Sequence, residues 1–317
     1  MSMSSLLLGL LGLLLLLAGW SRAGQFWTER RYPPLGDFVE VDGLRLHYLM
    51  AGEGPPLILL HGASSNLRDF HSRLLPLLTP HYRVIAFDRP GYGYSERPRD
   101  WPDPARIAQL VLDGAAQLGV ERPLLVGHSW SGAVVMAALV TLPERIAGGA
   151  LIGGVAGHWA GPIDWTYSVG GWPLLGKLFA WTAVYPAGQF LVEGGVRKVL
   201  APNPVPAGYA EDIAVALALR PRAFRHNVED MNRLSEYLQE LSPRYDEIRL
   251  PLLLIHGEAD SLVPWWNHGR RLLPVIPQAR ALLLPDAGHA PHHSHPQAVV
   301  EALRRFYAGA EATAPLR

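Results

Sequence analysis

From residue 38 onward, apolar and polar positions fall into short runs that switch between a strand period and a helix period. Residues 38–41 and 44–50 predict paired strands around Asp42-Gly43, a dipeptide suited to a tight hairpin turn. Residues 56–60 are wholly apolar and end at His61-Gly62, as a strand buried on both faces would. Helical spacing over 66–78 (Leu67, Phe70, Leu74, Leu75, Leu78) is followed by a strand at 83–87. A helix over 105–118 places Ile107, Leu110, Val111, Ala115 and Leu118 on one side. A strand at 123–126, an apolar helix at 132–142 stopped by Pro143, and a strand at 147–152 come next. Between 155 and 245 the regularity gives way to Pro, Gly and aromatics, with helical pieces at 174–182, 211–219 and 228–241. Alternation resumes with a strand at 252–255, a helix at 266–273, a strand at 281–284 and a helix at 296–307. The pattern predicts an α/β fold with a mostly parallel central sheet flanked by helices. The expected layout is a core at 36–154, a helical cap inserted late in the sheet at 155–245, the rest of the core at 246–309, and a tail at 310–317.

Ahead of this, residues 6–18 are almost pure leucine, interrupted by Gly9 and Gly12. Segment 1–23 is therefore expected to stand apart from the folded body and to direct the chain to a membrane. Small residues around Ser21-Arg22-Ala23 would suit cleavage before Gly24, giving a secreted or periplasmic body. Against export, no charged side chain precedes Arg22, whereas Arg22, Arg30 and Arg31 follow the apolar run. That bias suits a retained anchor instead. Both outcomes stay open at this level.

Composition narrows the chemistry. The 317 residues carry 28 basic and 28 acidic side chains, so no net field gathers nucleic acid. The chain contains no cysteine, which excludes disulfides, thiolate metal sites, iron–sulfur clusters and a cysteine nucleophile.

The chemically informative segment is Val126-Gly127-His128-Ser129-Trp130-Ser131-Gly132. A strand ends, a serine follows between small residues, and an apolar helix begins at once. Such a turn strains the serine backbone and projects its Oγ above the sheet edge. The usual small residue two places after the serine is Gly, and here it is Ser131. Ser131 is thereby a rival nucleophile, although its position falls inside the helix.

The chain resembles the α/β-hydrolase family through this turn and three further motifs. They are His61-Gly62-Ala63-Ser64, the segment from Asp88 to Ser95, and the late pair Gly257-Glu258-Ala259-Asp260 and Gly288-His289. The resemblance implies a Ser129, Asp260, His289 triad in that chain order, with His289 as base and Asp260 as its orienting acid. It also implies an oxyanion hole from the backbone N–H groups of Ala63 and Trp130, and assigns Asp88 to shaping the sheet edge. His61 is then expected to prop its loop, and His128 to serve in packing. The activity implied is hydrolysis of a carboxylic ester through an acyl-enzyme, with no cofactor. Carbon–carbon bond hydrolysis and cofactor-free perhydrolysis use the same triad and remain alternatives. So does a non-catalytic, membrane-tethered binding protein on the same fold.

His289, His292, His293 and His295 raise the question of a metal, but no carboxylate lies beside them in the chain and Pro291 and Pro296 interrupt any shared helical face. No metal is expected. Trp159, Trp165, Trp172 and Trp265 lie in or near the cap in a stretch poor in charge. They read either as lining for an apolar small-molecule substrate or as the cap's own core.

Overall fold

The computed structural model describes residues 2–161 and 163–313. In chain order its principal elements begin with helix α1 (Met3–Arg31), strands β1 (Asp37–Val41), β2 (Leu44–Ala51), β3 (Pro56–Leu60) and β4 (Arg83–Phe87), and helix α2 (Pro104–Gln117). Strand β5 (Leu124–His128), helix α3 (Gly132–Thr141) and strand β6 (Gly148–Ile152) follow. Three longer helical segments, α4 (Trp165–Gly170), α5 (Tyr185–Leu200) and α6 (Pro221–Leu241), separate β6 from β7 (Leu252–Gly257). Strand β8 (Ala279–Leu284) and helix α7 (Pro296–Thr313) close the order.

The eight strands form one sheet in the order β1-β2-β4-β3-β5-β6-β7-β8. Pairs β1–β2 and β2–β4 are antiparallel, and every other pair is parallel. The hairpin register joins Val41 to Leu44, leaving Asp42 (φ 52°) and Gly43 (φ 73°) as the two left-handed residues of a tight turn. Successive β3 residues serve opposite layers. Ile58 and Leu60 pack with α2, α3 and α6, while Leu57 and Leu59 pack with Val299, Leu303 and Phe306 of α7. This two-sided burial explains why the inner strands read as unbroken apolar runs.

Three elements depart from the sequence reading. The helix expected over 66–78 is two single turns, Arg68–His71 and Leu75–Leu78. Pro76 has no N–H to continue the ladder. Helix α5 was not expected, since Pro186 and three glycines (Gly188, Gly194, Gly195) weaken its pattern. Pro186 sits in the first turn, where a missing N–H costs nothing. Residues 310–313, expected as tail, continue α7, and 314–317 lie outside the described residues.

The largest departure concerns the N-terminal segment. Helix α1 runs 29 residues without a break across the expected boundary at residue 23. Its leucine-rich part is exposed and is long and apolar enough to cross a membrane, by length and composition. Beyond it, Ser21, Gly24 and Thr28 are buried at helical spacing, one stripe docked on the insertion. Thr28 Oγ1 lies 2.9 Å from the Tyr185 hydroxyl, and Arg220 Nη1 reaches Glu29 Oε1 at 3.0 Å. A Cβ at Gly24 would sit 1.9 Å from the Tyr185 ring, so only glycine admits this approach. The foot of α1 is therefore part of the folded body.

Two truncations separate the halves of this helix. Removing residues 1–20 is expected to leave the apparent melting temperature within about 2 °C, whereas removing 1–31 should lower it by at least ~4 °C through lost buried contacts, as read by circular dichroism.

Candidate active site

Strand β5 delivers Ser129 at φ +52°, a left-handed conformation that a side chain adopts only under constraint. The neighbours supply that constraint. A Cβ at Gly127 would lie 2.3 Å from the Ser131 carbonyl oxygen, and one at Gly132 would lie 2.7 Å from Val155 N. Gly132 thus makes the close approach that the motif ordinarily assigns one residue earlier. Ser131 is fully buried and its Oγ donates to the His61 carbonyl at 2.5 Å. Its hydroxyl is therefore engaged with backbone, while Ser129 Oγ reaches another residue.

That residue is His289, carried by the loop after β8, whose Nε2 lies 2.8 Å from Ser129 Oγ. Its Nδ1 lies 2.8 Å from Asp260 Oδ2. Since a carboxylate only accepts, Nδ1 carries the proton and Nε2 is free to accept from the serine. Asp260 Oδ1 accepts the backbone N–H groups of Leu262 and Val263 at 2.9 and 2.8 Å. Burial pushes the Asp260 carboxyl up, but the hydrogen bond and charge of His289, the Val263 N–H and His256 outweigh it and hold the acid below its usual range. His256 itself donates Nε2–H to the Val263 carbonyl at 2.7 Å, and burial lowers its pKa, favouring the neutral ring.

The loop that carries Ala63 approaches this serine through Gly62. Trp130 follows Ser129 directly, and Gly62 is so close that a Cβ there would lie 2.9 Å from Ser129 Cβ. His61 props the loop: its Nδ1–H donates to the Gly62 carbonyl at 2.9 Å and its Nε2 accepts the Arg89 N–H at 3.1 Å. Burial, assisted by the Arg89 charge, brings the His61 pKa down to about 4, so the ring is a neutral brace. Asp88 braces as well. Its oxygens accept the Leu67 and Tyr94 N–H groups at 2.7 and 2.8 Å, and Oδ2 lies 2.6 Å from His47 Nδ1. It engages a different histidine from the one beside Ser129.

Sequence reasoning missed the clamp on the other side of this loop. Asn227 of α6 accepts the Ser64 N–H at 2.9 Å and donates to Ser64 Oγ at 2.9 Å. One turn on, fully buried Asp230 receives Arg89 (3.1 Å), Arg97 (2.8 Å), Tyr92 (2.8 Å) and the Trp101 indole (3.1 Å). The Arg89 guanidinium also lies 4.1 Å from the ring centres of both Tyr92 and Trp130. The signal was present in the amphipathic helix itself. Asn227 and Asp230 occupy the same stripe as Leu234, Leu238 and Leu241, where a solvated helix would keep apolar residues.

The four tryptophans expected to line a substrate pocket divide between the surface and the core. Trp165 and Trp172 are 65% and 55% exposed, because α4 turns its buried Gly170 toward Val228 and Phe224 instead. Trp159 packs on the main core, and Trp265 packs on it too, with its ring centre 5.3 Å from that of His256. A large cleft of about 1330 Å³ lies elsewhere, between Gln25 and Glu29 of α1, the 91–99 loop and α6.

The late histidines also differ from expectation. A carboxylate does accompany them: Asp69, distant in sequence, lies 2.7 Å from His293 Nε2 and 3.4 Å from His292 Nε2. His128 does more than pack. Its Nε2–H donates to the His289 carbonyl at 3.3 Å, and its Nδ1 lies 3.3 Å from Asp69 Oδ2.

With fold and geometry in place, comparison with known proteins identifies the class. A model of the alpha/beta hydrolase family matches residues 57–302, and the chain belongs to that family. It is 27% identical to a pimeloyl-[acyl-carrier protein] methyl ester esterase of Aeromonas hydrophila over 80% of this chain and 96% of that one. It is 25% identical to a 2-hydroxymuconate semialdehyde hydrolase of Pseudomonas putida over 90% of this chain and 98% of that one. Among solved structures, a bacterial membrane phospholipase A shares the fold with TM-score 0.67 and 24% identity, covering 98% of this chain and 99% of its own.

The Asp230 cluster predicts a large stability effect. Asp230→Ala strands two buried guanidinium groups and is expected to cost ~3–5 kcal/mol in urea unfolding, far above the ~0.5 kcal/mol of a surface substitution.

Proposed function

We propose that the chain is a membrane-anchored serine hydrolase of carboxylic esters with a lipophilic acyl or aromatic part. The observation that carries this reading is the continuous hydrogen-bonded line from Ser129 Oγ through His289 to Asp260. In the reaction, Ser129 Oγ attacks the ester carbonyl carbon while His289 Nε2 takes its proton. The imidazolium so formed is stabilised by Asp260, and the developing oxyanion by the N–H groups of Ala63 and Trp130. Collapse breaks the ester C–O bond, and His289 returns the proton to the departing alkoxide. Water then attacks the acyl-enzyme with His289 again as base, releasing the acid and restoring the serine. This chemistry is complete without a cofactor.

Esterase chemistry draws support from the methyl ester esterase relative. A relative named for a semialdehyde and not an ester supports the second reading, carbon–carbon bond hydrolysis by the same triad. The membrane part of the proposal rests on α1. A cut before Gly24 would fall inside one continuous helix, at the residue seated on Tyr185, so the helix acts as a retained anchor. It would set the body beside lipid, and the insertion exposes further apolar side chains that include Leu174, Leu175, Phe190 and Leu191. A lipophilic substrate follows from that position.

Two experiments check the proposal. Full-length protein in detergent is treated with an active-site phosphonate and the modified residue located by mass spectrometry. Label is expected on Ser129, with loss in Ser129→Ala and retention in Ser131→Ala, while Asp260→Asn should lower kcat by roughly 10⁴ through the wrong histidine tautomer. Label on Ser131 would relocate the nucleophile. In a panel of esters graded by acyl length, turnover is expected to rise from short soluble to longer chains. Faster turnover of the short esters at equal concentration would overturn the lipophilic assignment.

A further inference from the structure

Behind the serine lies a second constellation that the hydrolytic chemistry does not use. Asp69 comes from the turn Arg68–His71, His128 is the last residue of β5, and His292 and His293 belong to the turn Pro291–Ser294. All four side chains are more than nine-tenths buried. Among the described residues, no Lys or Arg forms an ion pair with Asp69; its charged-group contacts are His128, His292 and His293.

The unsatisfied atoms of this cluster face one another. Asp69 Oδ2, His128 Nδ1 and His292 Nε2 are all buried without a hydrogen-bond partner. His128 has its tautomer fixed from the far side, because Nε2 points at a carbonyl and must carry hydrogen there. Its Nδ1 then presents a lone pair to a carboxylate oxygen at 3.3 Å, and His292 Nε2 stands 3.4 Å from the same oxygen. Both ring nitrogens of His292 are unpartnered, so its Nε2 can face Asp69 with or without hydrogen, but the His128 lone pair against the carboxylate is unfavourable unless a proton or a metal ion lies between them. Donor atoms on a tetrahedral zinc ion at ~2.0–2.1 Å stand about 3.3 Å apart, close to the two separations measured from Asp69 Oδ2 to His128 and His292. The ligand atoms of Asp69, His292 and His293 all lie within 4.8 Å of one another, and His128 Nδ1 adjoins this group through Asp69 Oδ2. His293 Nε2 hydrogen-bonds Asp69 Oδ1 at 2.7 Å and would give up that hydrogen to serve as a donor to the ion.

The geometry points to a closed structural site for a borderline divalent cation of the zinc type, held by Asp69, His128, His292 and His293. Three imidazoles and one carboxylate form a donor set suited to such an ion and need no cysteine. The bond from His128 Nε2–H to the His289 carbonyl would be its outer support, comparable to the carbonyl that commonly orients a metal-bound imidazole. The ion would join the turn after β3, the end of β5 and the loop bearing His289 at one point.

Metal content of the untagged full-length chain tests this directly. After incubation with Zn²⁺ and dialysis, plasma mass spectrometry should find about one zinc per chain, and chelation should lower the apparent melting temperature. X-ray absorption should show a shell of nitrogen and oxygen only, with imidazole scattering. His292→Gln and Asp69→Asn, checked for native circular dichroism, should each drop zinc below about a tenth of an equivalent. Well-folded wild type holding less than that, or folded variants keeping their zinc, would overturn the assignment. If neither variant folds, the wild-type absorption spectrum decides: fewer than two imidazoles at the ion rejects the site.

Discussion

Ser129 is held at φ +52°, and a left-handed residue with a side chain costs about 1–3 kcal/mol that the surroundings must offset. The offset is visible in what the turn is wedged between. Gly127 and Gly132 allow backbone to approach where any Cβ would collide, and Ser131 Oγ ties the start of α3 to the His61 carbonyl. Relaxing the turn would therefore disturb the loop that carries Ala63 as well as the serine. The same torsion places Ser129 Oγ within 2.8 Å of His289, so strain and alignment are one feature.

Around that turn the fold places charge where a core normally excludes it. Arg89 and Asp230 are both fully buried, a costly arrangement unless every polar atom near them is used. Most are. The Asp230 oxygens are shared among two guanidiniums, a phenol and an indole, and the flat face of Arg89 is covered by Tyr92 and Trp130. Such a cluster fixes α6 in one register on the sheet. A purely apolar contact of similar area would allow sliding, because hydrophobic burial has no direction.

The alternating core was legible in the sequence because its inner strands are buried on both faces and read as short apolar runs, while helices such as α2 and α6 bury one face and keep a helical period. Ser129 was legible for a related reason, since it sits just past a strand end where local residue types reveal the turn, whereas Asp260 and His289 were legible through the family resemblance in chain order. The two clusters were not. Asp69 stands 59 residues before His128, and Asp230 stands 141 after Arg89. No local pattern links such partners; only the folded sheet brings them together. The foot of α1 was misread for a different reason. Leucines dominate the first part of the helix so strongly that Gly24 and Thr28, its docking residues, look like the start of a linker.

These pieces are arranged in series. Glu29 at the foot of α1 pairs with Arg220, the residue immediately before α6, and Arg220 also donates to the Gly93 carbonyl in the loop that Asp88 braces. Helix α6 then presents Asn227 to Ser64 and Asp230 to Arg89, both within the shell of the serine. Helix α1 and the loop bearing Ala63 therefore both hold the N-terminal half of α6, at Arg220 and, about two turns on, at Asn227 and Asp230. A displacement of α1 against the body would have to break the Glu29–Arg220 pair or carry α6 with it. Because α6 is locked at Asp230, the weaker link is the partly exposed Glu29 pair, and the site is shielded from motion of α1 by the difference between the two.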